Sequence, residues 1–555
     1  MPSNRLIRKT DIMKKSLLVV FLFLLGFVVF YLNLPVLQYG FYEIAIIVLV
    51  VLFIYFLLSL GIDVDKSGKK FIITSKPSKI LLITMGLVFA YLTIVSLVTT
   101  ATIFHTSSYQ KMIGTVENGE KISEHIAPIS MDKIRVVDQE LAYLLGEKVI
   151  GSQPALGSQI KLGNFSIQKV NNELYWIAPL LHSGFFKWLN NKEGTPGYVM
   201  VSATNERDVK LVQNIDGKAV NIKYQPSSYF QSNIHRHVYF NGYSTIGLAD
   251  FTFEIDEKGN PFWVITTYKK EIGFSGKNTT GILVVDAQSG TIQQYAIKDS
   301  PSWVDRIQPA EFIEEQLNDW GELVNGYWNF SNTDKLQITE GLTLVYGQNN
   351  KSYWYTGLTS VGSDESAVGF VLVDTRTKET TFYKQSGATE FAAQSSAEGK
   401  VQEKGYKTSL PIPYNINGIP TYVMTLKDDG GLVKMYAMVA INDYTIVGVG
   451  NSMRETLTSF KSVYNMAGNK INPGNVAAKK SILSVISRVQ SDVKNGNSFY
   501  YFTIKDYPNI FVGSSQVSNE IPLTVVGDSV KVSFDIDNEQ VIDVTSFDNL
   551  NLKSK

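Results

Sequence analysis

The sequence predicts an α+β protein on a membrane anchor. Three N-terminal transmembrane helices come first, then repeated helix plus antiparallel β-hairpin modules, then a small C-terminal β-barrel. Three observations lead there. Apolar residues concentrate in three runs before residue 105, and one aromatic-strand pattern then recurs four times. Beyond a Gly- and Pro-containing break, five short strand signals crowd into about 70 residues, the spacing of a small barrel.

The anchor rests on Ser16–Leu32, Ile44–Ile62 and Ile80–Phe104. A span needs ~20 apolar residues to cross ~30 Å of hydrocarbon, and a helix satisfies its own backbone there. Asn33-Leu34-Pro35-Val36-Leu37 after the first run lacks a small-x-small cleavage site, so the run is expected to be retained. Arg5, Arg8, Lys9, Lys14 and Lys15 precede it; Lys66, Lys69, Lys70, Lys76 and Lys79 lie between the second and third runs. The positive-inside rule puts both groups in the cytoplasm and residues 105–555 outside, in a multi-pass protein of the cell membrane. The 51 Lys+Arg and 51 Asp+Glu of the 555 residues thus divide into +6 over residues 1–104 and −6 over residues 105–555.

The expected division is 1–104, cytoplasmic N-terminus and spans; 105–130, stalk; 131–255, first module; 256–340, second module; 341–385, third-module hairpin; 386–467, fourth module; 468–480, linker; 481–555, barrel. In the first copy Leu174-Tyr175-Trp176-Ile177 is followed by Gly197-Tyr198-Val199-Met200-Val201. In the second, Pro261-Phe262-Trp263-Val264 precedes Gly281-Ile282-Leu283-Val284-Val285-Asp286-Ala287. In the third, Ser352-Tyr353-Trp354-Tyr355 precedes Gly369-Phe370-Val371-Leu372-Val373-Asp374-Thr375. The fourth runs from Pro420-Thr421-Tyr422-Val423 to Tyr436–Ile441. Aromatic strand, connection and apolar strand make an antiparallel hairpin. Helical spacing precedes three copies: Ile134 to Leu145 behind a capping Asp132, Phe312 to Val324, and a weaker Ala-rich segment around Phe391; another helix, from Met453, follows the fourth.

The Val-Val-Asp-Ala-x-x-Gly-Thr strand and turn within Gly281–Gln294, and the related Val371–Thr381, resemble PepSY modules, an extracytoplasmic family. That resemblance implies binding or inhibition of peptidases, or envelope assembly, and no catalytic residues. The first copy departs at Ser202-Ala203-Thr204 and the fourth at Ala440-Ile441. The last segment resembles an OB-fold. Residues 479–555 carry no basic stripe, so nucleic acid is not an expected partner.

Chemistry is sparse. The absence of Cys excludes disulfides, thiolate metal sites and cysteine nucleophiles. No His-Glu-x-x-His, Gly-x-Ser-x-Gly or phosphate loop occurs. His235 and His237, read on a strand, would share a face and form a weak metal candidate; surface or satisfied histidines are the commoner use. Catalytic, cofactor-binding and metal residues are therefore expected to be none, and no cofactor is implied. Phe185, Phe186 and Trp188 form an aromatic segment, read either as chain folded over the sheet or as a membrane or partner contact. The expectation is a non-catalytic binding or scaffold protein of a bacterial envelope, with a protein partner or a second copy of itself. The alternatives are an envelope hydrolase with a site between repeats and a sensor working through a partner.

Overall fold

The computed structural model describes residues 20–59, 62–64, 71–73, 76–120, 122–339, 341–348, 351–362, 366–467, 479–494, 497–515, 517–535 and 541–552. The chain divides into two units: Met1–Tyr414 with Pro420–Ala467, and Asn415–Ile419 with Gly468–Lys555.

The expectation of three transmembrane helices is overturned. Among the described residues one helix, Ser78–Thr100, is long and apolar enough to cross a membrane, with 23 residues. Val20–Asn33 and Glu43–Leu57 are apolar but shorter. Over their described residues, at 1.5 Å per residue, they reach roughly 21–22 Å, against ~30 Å of hydrocarbon. The first stops where Leu34 turns left-handed (φ +49°), and Pro35 and Gly40 (φ +92°) hold the connector open. Residues 16–19, the basic Arg5–Lys15 group, Lys66, Lys69, Lys70 and most of the expected linker lie outside the described residues.

The mixed α+β character holds, and strands dominate. Four times a helix leads into an antiparallel meander. Helix Gln139–Gly151 precedes Ile160–Leu162 and Ser166–Val170, both paired to Glu173–His182, then Tyr198–Ser202 and Val209–Val212. The short helix Ile234–Val238 precedes Gly247–Ile255, Pro261–Ile272, Ser275–Asp286 and Ile292–Ala296. Helix Ala310–Glu322 precedes Leu336–Ile338 and Thr343–Tyr346, both paired to Ser352–Ser360, then Gly369–Asp374 and Thr380–Tyr383. Helix Glu390–Gly399 precedes Lys407–Thr408, Ile419–Lys427, Val433–Ala440 and Asp443–Gly450. The segment expected as a stalk contributes Val116–Gly119, parallel to Thr380–Tyr383 at the edge of the third sheet. Asp138, not Asp132, caps the first helix by accepting from Leu141 N; Thr389 and Ser452 cap theirs in the same way.

One hydrogen-bonded lock repeats with the modules. In the first, the Ala203 carbonyl accepts from Val136 N and Val137 N (2.9 and 3.0 Å), and the Val137 carbonyl accepts from Trp176 Nε1 (2.7 Å). In the second, Ala287 O accepts from Lys223 N and Tyr224 N (3.0 and 2.9 Å), and Tyr224 O from Trp263 Nε1 (2.7 Å). In the third, Thr375 O accepts from Ile307 N and Gln308 N (2.9 and 2.8 Å), and Gln308 O from Trp354 Nε1 (2.9 Å). The fourth is reduced: Ile441 O accepts from Ala388 N (2.7 Å), and Tyr422 OH reaches Ala388 O at 3.4 Å. Each lock ties the segment ahead of a helix to the end of that module's apolar strand. Trp263 and Trp354 are thereby buried and Trp176 partly so, and each still satisfies its one donor.

Single meanders do not close a core alone. The first and second share one: Tyr175, Ile177 and Met200 pack with Phe253, Trp263, Ile265 and Leu283. The third and fourth share another, in which Tyr355, Phe370 and Leu372 meet Tyr422, Met424 and Ala437. Tyr355 and Tyr422 hydroxyls bond at 2.7 Å inside it. A further cluster joins Ile167 and Ala203 of the first module to Ile313, Leu344 and Trp354 of the third.

In the second unit, Lys479–Lys494, Asn497–Ile504, Ile510–Gly513, Val541–Asn549 and Ser529–Asp535 are neighbours in that order and close into a barrel. Ile510–Gly513 and Val541–Asn549 run parallel and the other pairs antiparallel. Phe502, Phe511, Phe534 and Phe547 fill the interior with Ile482, Val530 and Val532.

Candidate binding cleft

A cavity of about 850 Å³ opens within the first unit. Its lining comes from all four modules: Asp138 and Phe165 from the first, Asp250 and Phe253 from the second, Leu344 and Trp354 from the third, Leu410 and Thr425 from the fourth. The size falls within the usual range of small-ligand sites. Trp176, Trp263 and Trp354, the three lock tryptophans, all contribute to the lining. The device that ties each module together therefore also furnishes the cleft's apolar surface.

Two lining carboxylates, Asp138 and Glu140, belong to an ion triad whose lysine lies behind them. Lys427 Nζ lies 2.5 Å from Asp138 Oδ2 and 2.8 Å from Glu140 Oε2, and its side chain is only 8% exposed. Burial works against the Lys427 charge, and the bonds to Asp138 and Glu140 outweigh it, so its pKa rises. The triad joins the last residue of a fourth-module strand to the cap of the first-module helix. Nearby, Arg135 N donates to Tyr414 OH (3.1 Å) and Gln139 Nε2 donates to Phe165 O (2.9 Å), which fixes the segment entering that helix.

The floor is organised differently. Arg306 lines the cavity, yet its Nε and Nη2 are buried with no hydrogen-bond partner among the described residues. Burial opposes its charge; the fields of Glu254, Asp250, Tyr346 and Asp305 prevail and raise its pKa. Glu254 is buried behind the lining, with Thr252 Oγ1 donating to its Oε1 at 3.2 Å and Oε2 unbonded. Burial pushes the Glu254 carboxyl up to about 8, against a weaker lowering by Arg306. The Asp305 carboxylate accepts from Lys169 N (2.7 Å) and Tyr346 OH (3.1 Å); its pKa is nevertheless raised by burial.

His235 and His237 lie on helix Ile234–Val238, not on a strand, so their rings do not share one face. Positions i and i+2 are about 200° apart on a helix. His235 packs on Phe251 with ring centroids 4.1 Å apart; His237 packs on Tyr224 at 4.2 Å and its Nε2 bonds to Gly290 O (2.7 Å). Burial lowers the His235 pKa, as does neighbouring Arg236. No cluster of three or more His, Asp or Glu able to hold a metal occurs among the described residues. Phe185, Phe186 and Trp188 form the short helix Phe185–Asn190, away from the cleft lining. Trp188 is buried against Tyr229 and Phe230, while Phe186 is 75% exposed.

The reading from sequence missed Glu254, Asp305, Arg306 and Lys427. The first sits in an apolar strand and Asp305-Arg306 in a connector; no motif marks either. Lys427 beside Asp428-Asp429 looks like turn chemistry, and only the fold brings it to Asp138.

No protein-family model matches the chain, and no curated protein matches it. Among solved structures, one described as a complex of BT0996 with RGII aligns with 9% identity over 72% of the present sequence and 90% of its own, at a TM-score of 0.16. A superposition that loose carries no statement about fold or function.

Proposed function

We propose that the protein is a membrane-anchored, non-catalytic binding protein of a bacterial envelope. Helix Ser78–Thr100 crosses the membrane, with the modules beyond its Thr100 end on the outside. Its exposed apolar surface (Ile83, Leu87, Phe89 and Ile94 among others) supports a lipid environment, and the lysines ahead of it support the orientation. The observation that carries the binding role is the cleft: four modules contribute to one cavity of about 850 Å³, lined by three tryptophans and edged with charge. The repeated helix-plus-meander unit supports a PepSY-like reading of the modules. The closed five-stranded barrel supports an OB-like reading of the C-terminal unit, used for interaction and not for nucleic acid.

The absence of cysteine makes the test direct. Leu410 is exposed at the cleft lining, so Leu410→Cys supplies a unique thiol. A membrane-impermeant maleimide should label it from outside intact spheroplasts, more slowly in native membranes than in the purified protein, because an occupant shields it. Labelling only after permeabilisation overturns the orientation. Equal rates in native membranes and in the purified protein overturn the binding role.

A further inference from the structure

Segments remote in sequence converge at the Thr100 end of the crossing helix. The turn at Gly273 (φ +56°) rests on it so closely that a Cβ there would meet Thr99 O at 2.5 Å. Phe274 N donates to Thr100 Oγ1 (3.1 Å). The connector between the two short helices packs on the same hairpin, Tyr39 on Phe274 and Phe41 on Tyr268. It is also tied to the second module, where Tyr239 OH donates to Pro35 O (2.7 Å) and Ser244 O accepts from Leu37 N (2.8 Å). This level of the body is thereby fixed against the helix end.

Two cations stand at that level without an ion pair. Arg236 lies 4.9 Å above the Tyr31 ring; Lys270 Nζ lies 4.4 Å from the Phe41 ring centre and 5.0 Å from that of Tyr42. Nearby lysines are matched, Lys269 with Glu271 and Lys277 with Glu311 and Glu315. Among the described residues no carboxylate comes within 4 Å of Arg236 or Lys270, and the field of Glu43 reaches Lys270 from farther away. Tyr39, Tyr42 and Phe240 are exposed around them. Aromatic rings with flanking cations are what a bilayer interface accepts.

We infer that this collar binds anionic phospholipid headgroups, with Arg236 and Lys270 taking the lipid phosphate and the exposed aromatic rings lying among the glycerol esters. A ring under a cation holds it in place and leaves N–H donors for a phosphate. The inference rests on the reading that Ser78–Thr100 crosses the membrane. The full chain, reconstituted in nanodiscs of equal phosphatidylcholine and phosphatidylglycerol, tests it by native mass spectrometry of the lipids retained. Phosphatidylglycerol should be enriched about fivefold per cation. Arg236→Gln with Lys270→Gln should bring retention to parity, while Lys148→Gln, on an exposed face of the first helix, leaves the enrichment intact. Since both cations stack on rings, the wild type alone gives a second reading: the enrichment must fall as salt is raised. Equal retention by the wild type, an enriched double variant or a salt-independent preference each overturns the site. Alkaline carbonate extraction separates the two failures. Protein that stays with the membrane but shows no preference loses only the lipid site; protein that is released overturns the crossing itself.

Discussion

Behind the cleft's wall Lys427 has two carboxylates within 2.8 Å, whereas on its floor Arg306 has acids in its field and none in contact. Both cations are drawn out of bulk water. At the wall the ions neutralise one another, and the triad acts as a tie between the first and fourth modules. At the floor the cost of burial is met by protonation: Glu254, pushed up to about 8, is largely neutral at pH 7. Paired charge fixes geometry there, and unpaired charge leaves stability dependent on pH.

The largest way to break this contrast is Glu254→Gln, at the floor. Because the folded pKa of Glu254 lies above its unfolded value near 4.5, its contribution is complete below that pH and is lost as pH rises through about 8. The variant should match the wild type near pH 4 and exceed it by on the order of 5 kcal/mol near pH 9. Melting curves whose difference does not change with pH would remove the floor's distinctive role. The wall is tested by Asp138→Ala. It removes a helix cap and leaves the buried Lys427 with Glu140 alone, so a loss of about 3 kcal/mol is expected in denaturant titrations, against about 1 kcal/mol for Lys427→Met, which removes the buried charge itself. An equal loss from both would mean the wall is not organised around the lysine charge. Trp354→Phe keeps the ring on the cleft and deletes only the donor to Gln308 O; about 1 kcal/mol should be lost. Phe186→Ser, outside both regions, should change stability by less than about 0.5 kcal/mol. A larger loss would show that this ring is packed and not open surface.

Sequence made the modules legible because a buried strand has to be written in apolar residues, and Gly281–Asp286 and Gly369–Asp374 repeat that writing almost residue for residue. The locks escaped notice because their acceptors are main-chain carbonyls, which any residue supplies; only Trp176, Trp263 and Trp354 leave a trace. The helices before Ser78 were overcounted because hydropathy records that a run is apolar and not how long its helix is: Val20–Asn33 and Glu43–Leu57 are apolar and, over the described residues, shorter than a span. The histidine pair was placed on the wrong element because only five residues there are α-helical, between a 3-10 turn (Phe230–Ser232) and a π-helical turn (Tyr239–Tyr243), too few to show a period. The cleft's charges were out of reach for a different reason. Glu254 and Arg306 are brought near each other by the packing of one module on the next, and nothing local distinguishes them from solvated residues.

The lock also says something about how such a chain is copied. Val136 and Ala203, Lys223 and Ala287, Ile307 and Thr375, and Ala388 and Ile441 are each joined by a main-chain bond, so every segment begins and ends at the same point in space. A stretch of chain whose two ends touch can be excised, inserted or duplicated in tandem without displacing its flanks. The natural cut sites for dissecting or extending the protein therefore lie just outside these paired residues, ahead of each helix, and not at the helix starts that secondary structure would suggest.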